Sequence, residues 1–135
     1  MKKLISIFAI ILTVITITAC KKGPGEGGNS SVTGYVLATD FDEKTSDTLR
    51  IKSAEDTDVY IKYGEGYGYD SKTKTDPNGR FEFKYLRKGS YKIYVYSEIL
   101  PVSKTSPQEA VIKSIEITEK KKTFDLGTIE INRKY

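Results

Sequence analysis

From Ser31 onward, apolar and polar residues alternate with a period of two in short segments. Val32, Gly34 and Val36 share one face of the first, Leu49 and Ile51 lie in a second, and Val59, Ile61 and Tyr63 alternate in a third. Phe81, Phe83 and Tyr85 follow, with Glu82 and Lys84 opposite them. Then come Tyr91, Ile93 and Val95, next Ile115 and Ile117, and finally Phe124, Leu126, Ile129 and Ile131. Successive side chains of a strand point to opposite faces, so each segment predicts a strand with one buried face. Clusters of Gly, Pro, Asp and Lys between them read as turns. Pro107 to Ser114 (PQEAVIKS) offers a helical turn too short to count as an element. The offset between Leu126 and Ile129 breaks the period, and Gly127 between them suits a β-bulge. Seven or so strands without crossover helices predict an all-β fold, an antiparallel seven-stranded sandwich over residues 32–135.

Asp76-Pro77-Asn78-Gly79 is the clearest turn: Pro sets φ at its position and Asn-Gly accepts positive φ. It is expected to bring Lys74 and Arg80 face to face across a hairpin or corner. Asp76 and Asn78 could serve calcium, but no further carboxylate follows at loop spacing, so turn chemistry is the expectation and no metal is assigned. Residues 38–58, longer and richer in acidic side chains, predict a surface excursion around the Leu49–Ile51 strand.

The N-terminus follows another pattern. Lys2 and Lys3 precede Leu4 to Ile17, a run without charge. That is the layout of an export signal, and it is shorter than the roughly 20 apolar residues of a membrane-spanning helix. Ile17-Thr18-Ala19-Cys20 resembles the lipobox of bacterial lipoproteins. The resemblance implies that residues 1–19 are cleaved as a signal peptide and that Cys20 receives the lipid. Two or three acyl chains, at about 0.8 kcal/mol per buried CH₂, hold a protein firmly to its membrane. Residues 20–31, the lipidated Cys followed by KKGPGEGGNSS, have no apolar side chain to bury after the cysteine, which predicts a flexible tether on the order of 20 Å long. Lys21 replaces the Asp that retains many such lipoproteins in the inner membrane, so the resemblance implies the outer membrane, facing the periplasm or the surface.

Composition narrows the chemistry. Loss of residues 1–19 takes Lys2 and Lys3 with it and leaves 20 basic against 18 acidic side chains, a balance that predicts no nucleic-acid partner. Cys20 is the sole cysteine and histidine is absent. Ser-His-Asp and Cys-His catalysis and His- or Cys-based metal centres are excluded by inventory. An enzyme would have to work with Asp and Glu alone, and the expectation is a protein that is not an enzyme and carries no cofactor.

Residues 73–95 (TKTDPNGRFEFKYLRKGSYKIYV) resemble the prealbumin-like, or carboxypeptidase-regulatory-like, family of transthyretin-like sandwich domains. The matching positions are Thr75, Asp76, Asn78, Gly79, Phe81, Phe83, Leu86, Gly89, Tyr91, Ile93 and Val95. Val32 to Val36 is similar to the family's opening strand and Phe124 to Ile131 to its closing one. The resemblance implies an Ig-like or prealbumin-like sandwich and is nearly silent on function. Transthyretin-related hydrolases use His and Arg, so their activity is not implied for a chain without His. The Lys-to-Asn crosslink of related adhesin domains is not expected either, since residues 31–39 hold no Lys although Asn132 is available.

Ten tyrosines and no tryptophan remain to be placed. Tyr67 and Tyr69 lie in a Gly-rich loop, and Tyr94 and Tyr96 lie opposite Ile93 and Val95. Exposed aromatics with hydroxyl handles suit sugar rings or an interface, while tyrosine is also an ordinary strand residue over lysine stems. The sequence therefore predicts a lipid-anchored structural or interaction module of the bacterial envelope. Its membrane contact runs through the N-terminal lipid, and envelope proteins or glycans are its partners. The alternative is a glycan- or peptide-binding surface lipoprotein that uses Tyr67, Tyr69, Tyr94 and Tyr96.

Overall fold

The computed structural model describes residues 22–101, Thr105 and 107–135. The expected signal peptide, residues 1–19, and the expected lipidation site, Cys20, lie outside the described residues. Eight strands make two sheets: β1 (Glu26–Phe41), β2 (Thr48–Ser53), β3 (Asp58–Tyr63), β4 (Ser71–Lys74), β5 (Arg80–Leu86), β6 (Gly89–Glu98), β7 (Gln108–Ile117) and β8 (Thr123–Lys134). One sheet runs β4-β3-β6-β7 with every pair antiparallel. In the other, β1 is central. Along one edge it pairs antiparallel with β5 and then β2, and along its other edge it pairs with β8 from Ser31 to Phe41.

That last pairing is parallel, which corrects the expectation of an antiparallel sandwich throughout. Strand direction depends on how the chain returns, and hydrophobic period carries no record of it. The eighth strand is β4, whose sequence SKTK has no apolar residue for an alternation to register. The tract from Pro107 to Ser114 is extended from Gln108 onward, inside β7, and not helical.

The inward residues form one core. Val32, Val36 and Ala38 of β1 and Ile129 and Ile131 of β8 face Val59 and Ile61 of β3 and Tyr91, Ile93 and Val95 of β6 across the sandwich. Phe81, Phe83 and Leu86 of β5, Ile117 of β7 and Ala54 complete the cluster. Each fully buried aliphatic or aromatic side chain contributes about 1.5–3 kcal/mol. Tyr63, Ile115, Phe124 and Leu126 pack against it half-buried, and three expected core positions face solvent. Leu49 and Ile51 belong to β2, an edge strand with all six residues exposed; the register sets Ile51 beside Thr39 and Arg50 beside Asp40, so the β2 residue that reaches the buried Asp40 is the exposed Arg50. Tyr85 has φ 60°, which throws its ring outward and gives Leu86 the core position.

The bulge at Gly127 is present: Thr33 pairs with Asp125 and Tyr35 with Thr128, leaving two residues of β8 opposite Gly34. The turn at Asp76 is a corner between sheets, with β4 in one and β5 in the other. Asp76 Oδ1 accepts from the amides of Asn78 and Arg80, each at 2.9 Å.

The flexible tether expected over residues 20–31 is corrected in its second half. Strand β1 begins at Glu26, Gly25 is buried, and Ser30 is buried with its hydroxyl donating to Glu119 O at 2.8 Å. Backbone and glycine, not apolar side chains, hold this stretch. Gly28 lies so close to the backbone of Leu86 and Arg87 that a β-carbon would overlap it. The Arg87 amide donates to Gly25 O, and the Gly25 amide donates to the Tyr91 hydroxyl, each at 2.8 Å.

Candidate functional site

Because Val59 and Ile61 point inward from β3 and Ile93 and Val95 from β6, the residues between them point outward. This places Tyr60, Lys62, Lys92, Tyr94 and Tyr96 on the outer face of the β4-β3-β6-β7 sheet. The register sets Tyr60 opposite Tyr94 and Lys62 opposite Lys92, and β7 adds Ile112 beside Tyr94 and Ala110 beside Tyr96. The rings are in mutual contact. Tyr60 stacks on Tyr94 with centroids 5.2 Å apart and 16° between planes, Tyr96 stands edge-on to both at 5.5 and 5.7 Å, and Tyr69 covers Tyr60 from the loop side at 5.0 Å. Aromatic pairs in such geometries contribute about 0.5–1.5 kcal/mol beyond their burial.

The loop between β3 and β4 folds back onto this face. Asp70 pins it: its carboxylate accepts from the Tyr63 amide at 2.7 Å and pairs with Lys62 at 3.1 Å, while its own amide donates to Ile61 O at 2.9 Å. Tyr67, at the loop's tip, is fully exposed and walls a groove of about 280 Å³ whose other side is Tyr94, Tyr96, Ala110 and Ile112. The four tyrosines predicted from sequence are thus brought together. Their roles differ: Tyr67, Tyr69 (54% exposed) and Tyr96 (45%) present rings to solvent, whereas Tyr94 (9%) is the packed layer beneath them.

The cations beside the rings are matched. Lys92 meets Glu65 at 2.5 Å, Lys62 meets Asp70, and Lys72 meets Asp58 at 3.4 Å. Burial raises the hydroxyl pKa of Tyr60, with Asp58 adding to it, and burial followed by the neighbouring Tyr96 raises that of Tyr94. The phenols of Tyr60 and Tyr94 therefore stay neutral at any physiological pH. Among the described residues no group of three or more acidic side chains is placed to hold a metal ion.

Sequence reasoning missed two members of the site. Tyr60 carries the same signal as Tyr94, an aromatic between two inward aliphatics, and reading β3 for both faces would have found it. Ile112 lies in the tract whose sequence suggests a short helical turn, and a strand face for it is defined only by β7.

No protein-family model matches the chain, and no curated protein matches it. Among solved structures, a Pseudomonas aeruginosa protein named as a candidate carbohydrate binding protein is similar over 81% of this chain and 91% of its own, at 17% identity and a TM-score of 0.47. A 9R-lipoxygenase from Cyanothece is similar over 96% of this chain but 20% of its own, at 19% identity and a TM-score of 0.39. At this distance neither likeness carries a function across.

Proposed function

We propose that this chain is a lipid-anchored, non-enzymatic module of the bacterial cell envelope that binds a glycan of neutral sugars on its tyrosine face. The groove walled by Tyr67, Tyr94 and Tyr96, backed by Tyr60 through its ring contacts with Tyr94 and Tyr96 and by Tyr69 through its contact with Tyr60, carries the reading. An ordinary strand residue has no reason to gather with four others under a folded-back loop. The C–H faces of a pyranose lie flat on such rings, and the phenol hydroxyls reach the sugar's own. Each lysine beside the groove already faces a carboxylate, so the surface offers nothing extra to an acidic sugar. The shallow opening suits a chain of sugars lying across it.

Anchoring rests on the run from Lys2 to Cys20 and on the similarity of Ile17 to Cys20 to a lipobox; the outer membrane is the proposed location. The absence of a catalytic role rests on the inventory, with no His and with the one Cys assigned to the lipid.

A glycan array probed with the purified protein, repeated with Tyr67→Ala and Tyr96→Ala, tests the site. Binding to neutral glycans is expected, with each variant losing about tenfold, equivalent to 1.4 kcal/mol. Unchanged binding in both variants would overturn the assignment of this face. Metabolic labelling with a clickable fatty acid, lost in Cys20→Ala, tests the anchor separately.

A further inference from the structure

One end of the sandwich gathers the start of β1, the β5–β6 turn and the β7–β8 turn. It carries Lys22, Arg87, Lys88, Lys120, Lys121 and Lys122 against Glu26, Glu116 and Glu119, and the β3–β4 loop beside Pro24 adds Glu65, already paired with Lys92. Five of the six cations are exposed, Arg87 being half-buried. Two of the other acids are engaged: Glu119 pairs with Lys122 at 3.3 Å, and Glu26 accepts from the Tyr63 hydroxyl at 2.9 Å. Between the strand start and the two turns an open cleft of about 1090 Å³ is lined by Lys22, Pro24, Arg87, Lys88, Ile117 and Lys120. The rest of the chain after residue 19 is nearly balanced, so the positive charge of the protein is concentrated here.

The same end holds the chain's start. Arg87 Nε donates to Gly23 O at 2.8 Å, its Nη1 donates to Glu26 O, and Pro24 packs on Gly89. The Lys121 amide donates to Asn29 Oδ1 at 3.1 Å and the Ser31 amide to Lys122 O at 3.0 Å, which ties the β7–β8 turn to the same stretch. Cys20 precedes Lys22 by two residues, a span of at most about 7 Å. Lys22, held that near an anchored residue, lies within the screening length of about 8 Å at physiological salt, and Arg87, Lys88 and Lys120 line the same cleft; at the end of a free tether of about 20 Å none of them would.

We propose that this basic end is a membrane-docking surface that rests on the phosphate-bearing headgroups of anionic lipids and sets the domain upright on the bilayer. The inference builds on the reading of Cys20 as the lipid anchor. Lysine and arginine beside an anionic leaflet add binding strength charge by charge, and their effect fades with distance and salt. A pinned strand start with cations gathered beside it meets both conditions. The tyrosine face then opens to the side of the domain, clear of the lipid.

The test separates docking from anchoring. Both sheets lie within residues 26–134, so residues 20–135 carrying Cys20→Ser give the folded domain without acyl chains. This protein is sedimented with vesicles of phosphatidylcholine alone or mixed with phosphatidylglycerol, at low and at high salt. Binding is expected to the mixed vesicles only and to disappear at high salt. Lys88→Glu with Lys120→Glu should weaken it about tenfold or more, while Lys44→Glu with Lys52→Glu, equal in net charge but away from this end, should leave it unchanged. Equal binding to both vesicle types, or equal loss from both double variants, would overturn the proposal. Because no acyl group is present, a failure of fatty-acid labelling at Cys20 would leave this result untouched and would count only against the anchor.

Discussion

Asp40 is a carboxylate with no exposed surface, and it survives there through two arginines. Arg50 Nε lies 2.7 Å from one oxygen and Arg133 Nε 2.9 Å from the other, so the side chain ties β2 and β8 to β1. Burial works to raise its pKa, but the hydrogen bonds and charges of Arg133 and Arg50 outweigh it and hold the carboxyl below its ordinary range. A group whose folded pKa is depressed stabilises the fold above its unfolded pKa, about 3.9 for Asp. That contribution is lost as pH falls through the folded value. Asp40→Asn should therefore cost about 2–3 kcal/mol at neutral pH, less than a fully enclosed pair because both arginines reach solvent. Its urea stability should also fall less steeply than that of the wild type below about pH 4. Chemical denaturation of both proteins across pH 3–7 measures this, and parallel profiles would show that Asp40 does not titrate with folding.

At the level of elements, the Asp76–Gly79 turn does more than reverse the chain. The Val36 amide donates to Gly79 O at 2.8 Å and Val36 O accepts from the Ala54 amide at 2.9 Å, so the turn and the end of β2 fill the edge of β1 between the stretches paired with β5 and β2. Gly79 has φ 76°, and a β-carbon there would lie 2.6 Å from Val36 O. Gly79→Ala must pay for left-handed backbone and push against a ladder carbonyl, and a loss of about 2–3 kcal/mol in thermal or urea unfolding is expected. β8 holds the opposite edge of β1 and brings Ile129 and Ile131 into the core. A chain ending at Lys122 should therefore lack a cooperative unfolding transition. In the intact protein the β1 amides from Val32 to Ala38 should be among the last to exchange with deuterium.

For the whole molecule, the dominant fact is the distance along the chain between partners. β1 pairs with β8 some 90 residues later, Ser31 with Thr123 and Phe41 with Lys134. Loops of that length must close before the contacts that compensate them exist, which places such topologies at the slow end of single-domain folding. Refolding followed by tyrosine fluorescence should take milliseconds to seconds. Microsecond folding would mean that local hairpins, and not the β1–β8 closure, limit the rate. The same closure fixes which end of the sandwich the N-terminus leaves from, and so which charges stand near the proposed anchor.

Much of this was legible from residues alone because alternation reports burial directly: Val32 and Val36, Val59 and Ile61, Phe81 and Phe83, and Ile93 and Val95 all lie in the core as the period requires. The Gly127 bulge and the Asp76 corner were legible too, since glycine and proline act on the backbone where they stand. What alternation cannot express is which strand lies beside which. The parallel β1–β8 pair, the apolar-free strand β4, the outward turn of Leu49 and Ile51 and the ordering of residues 26–31 all depend on partners distant in sequence. The tyrosines show both halves of the matter. The outward direction of Tyr94 and Tyr96 follows from the residues between them, but the contact of Tyr94 with Tyr60 and the groove that Tyr94 and Tyr96 share with Tyr67 and Ile112 required β3, β6 and β7 to be set side by side, because hydrogen-bonded register is a property of pairs of strands and not of any one of them.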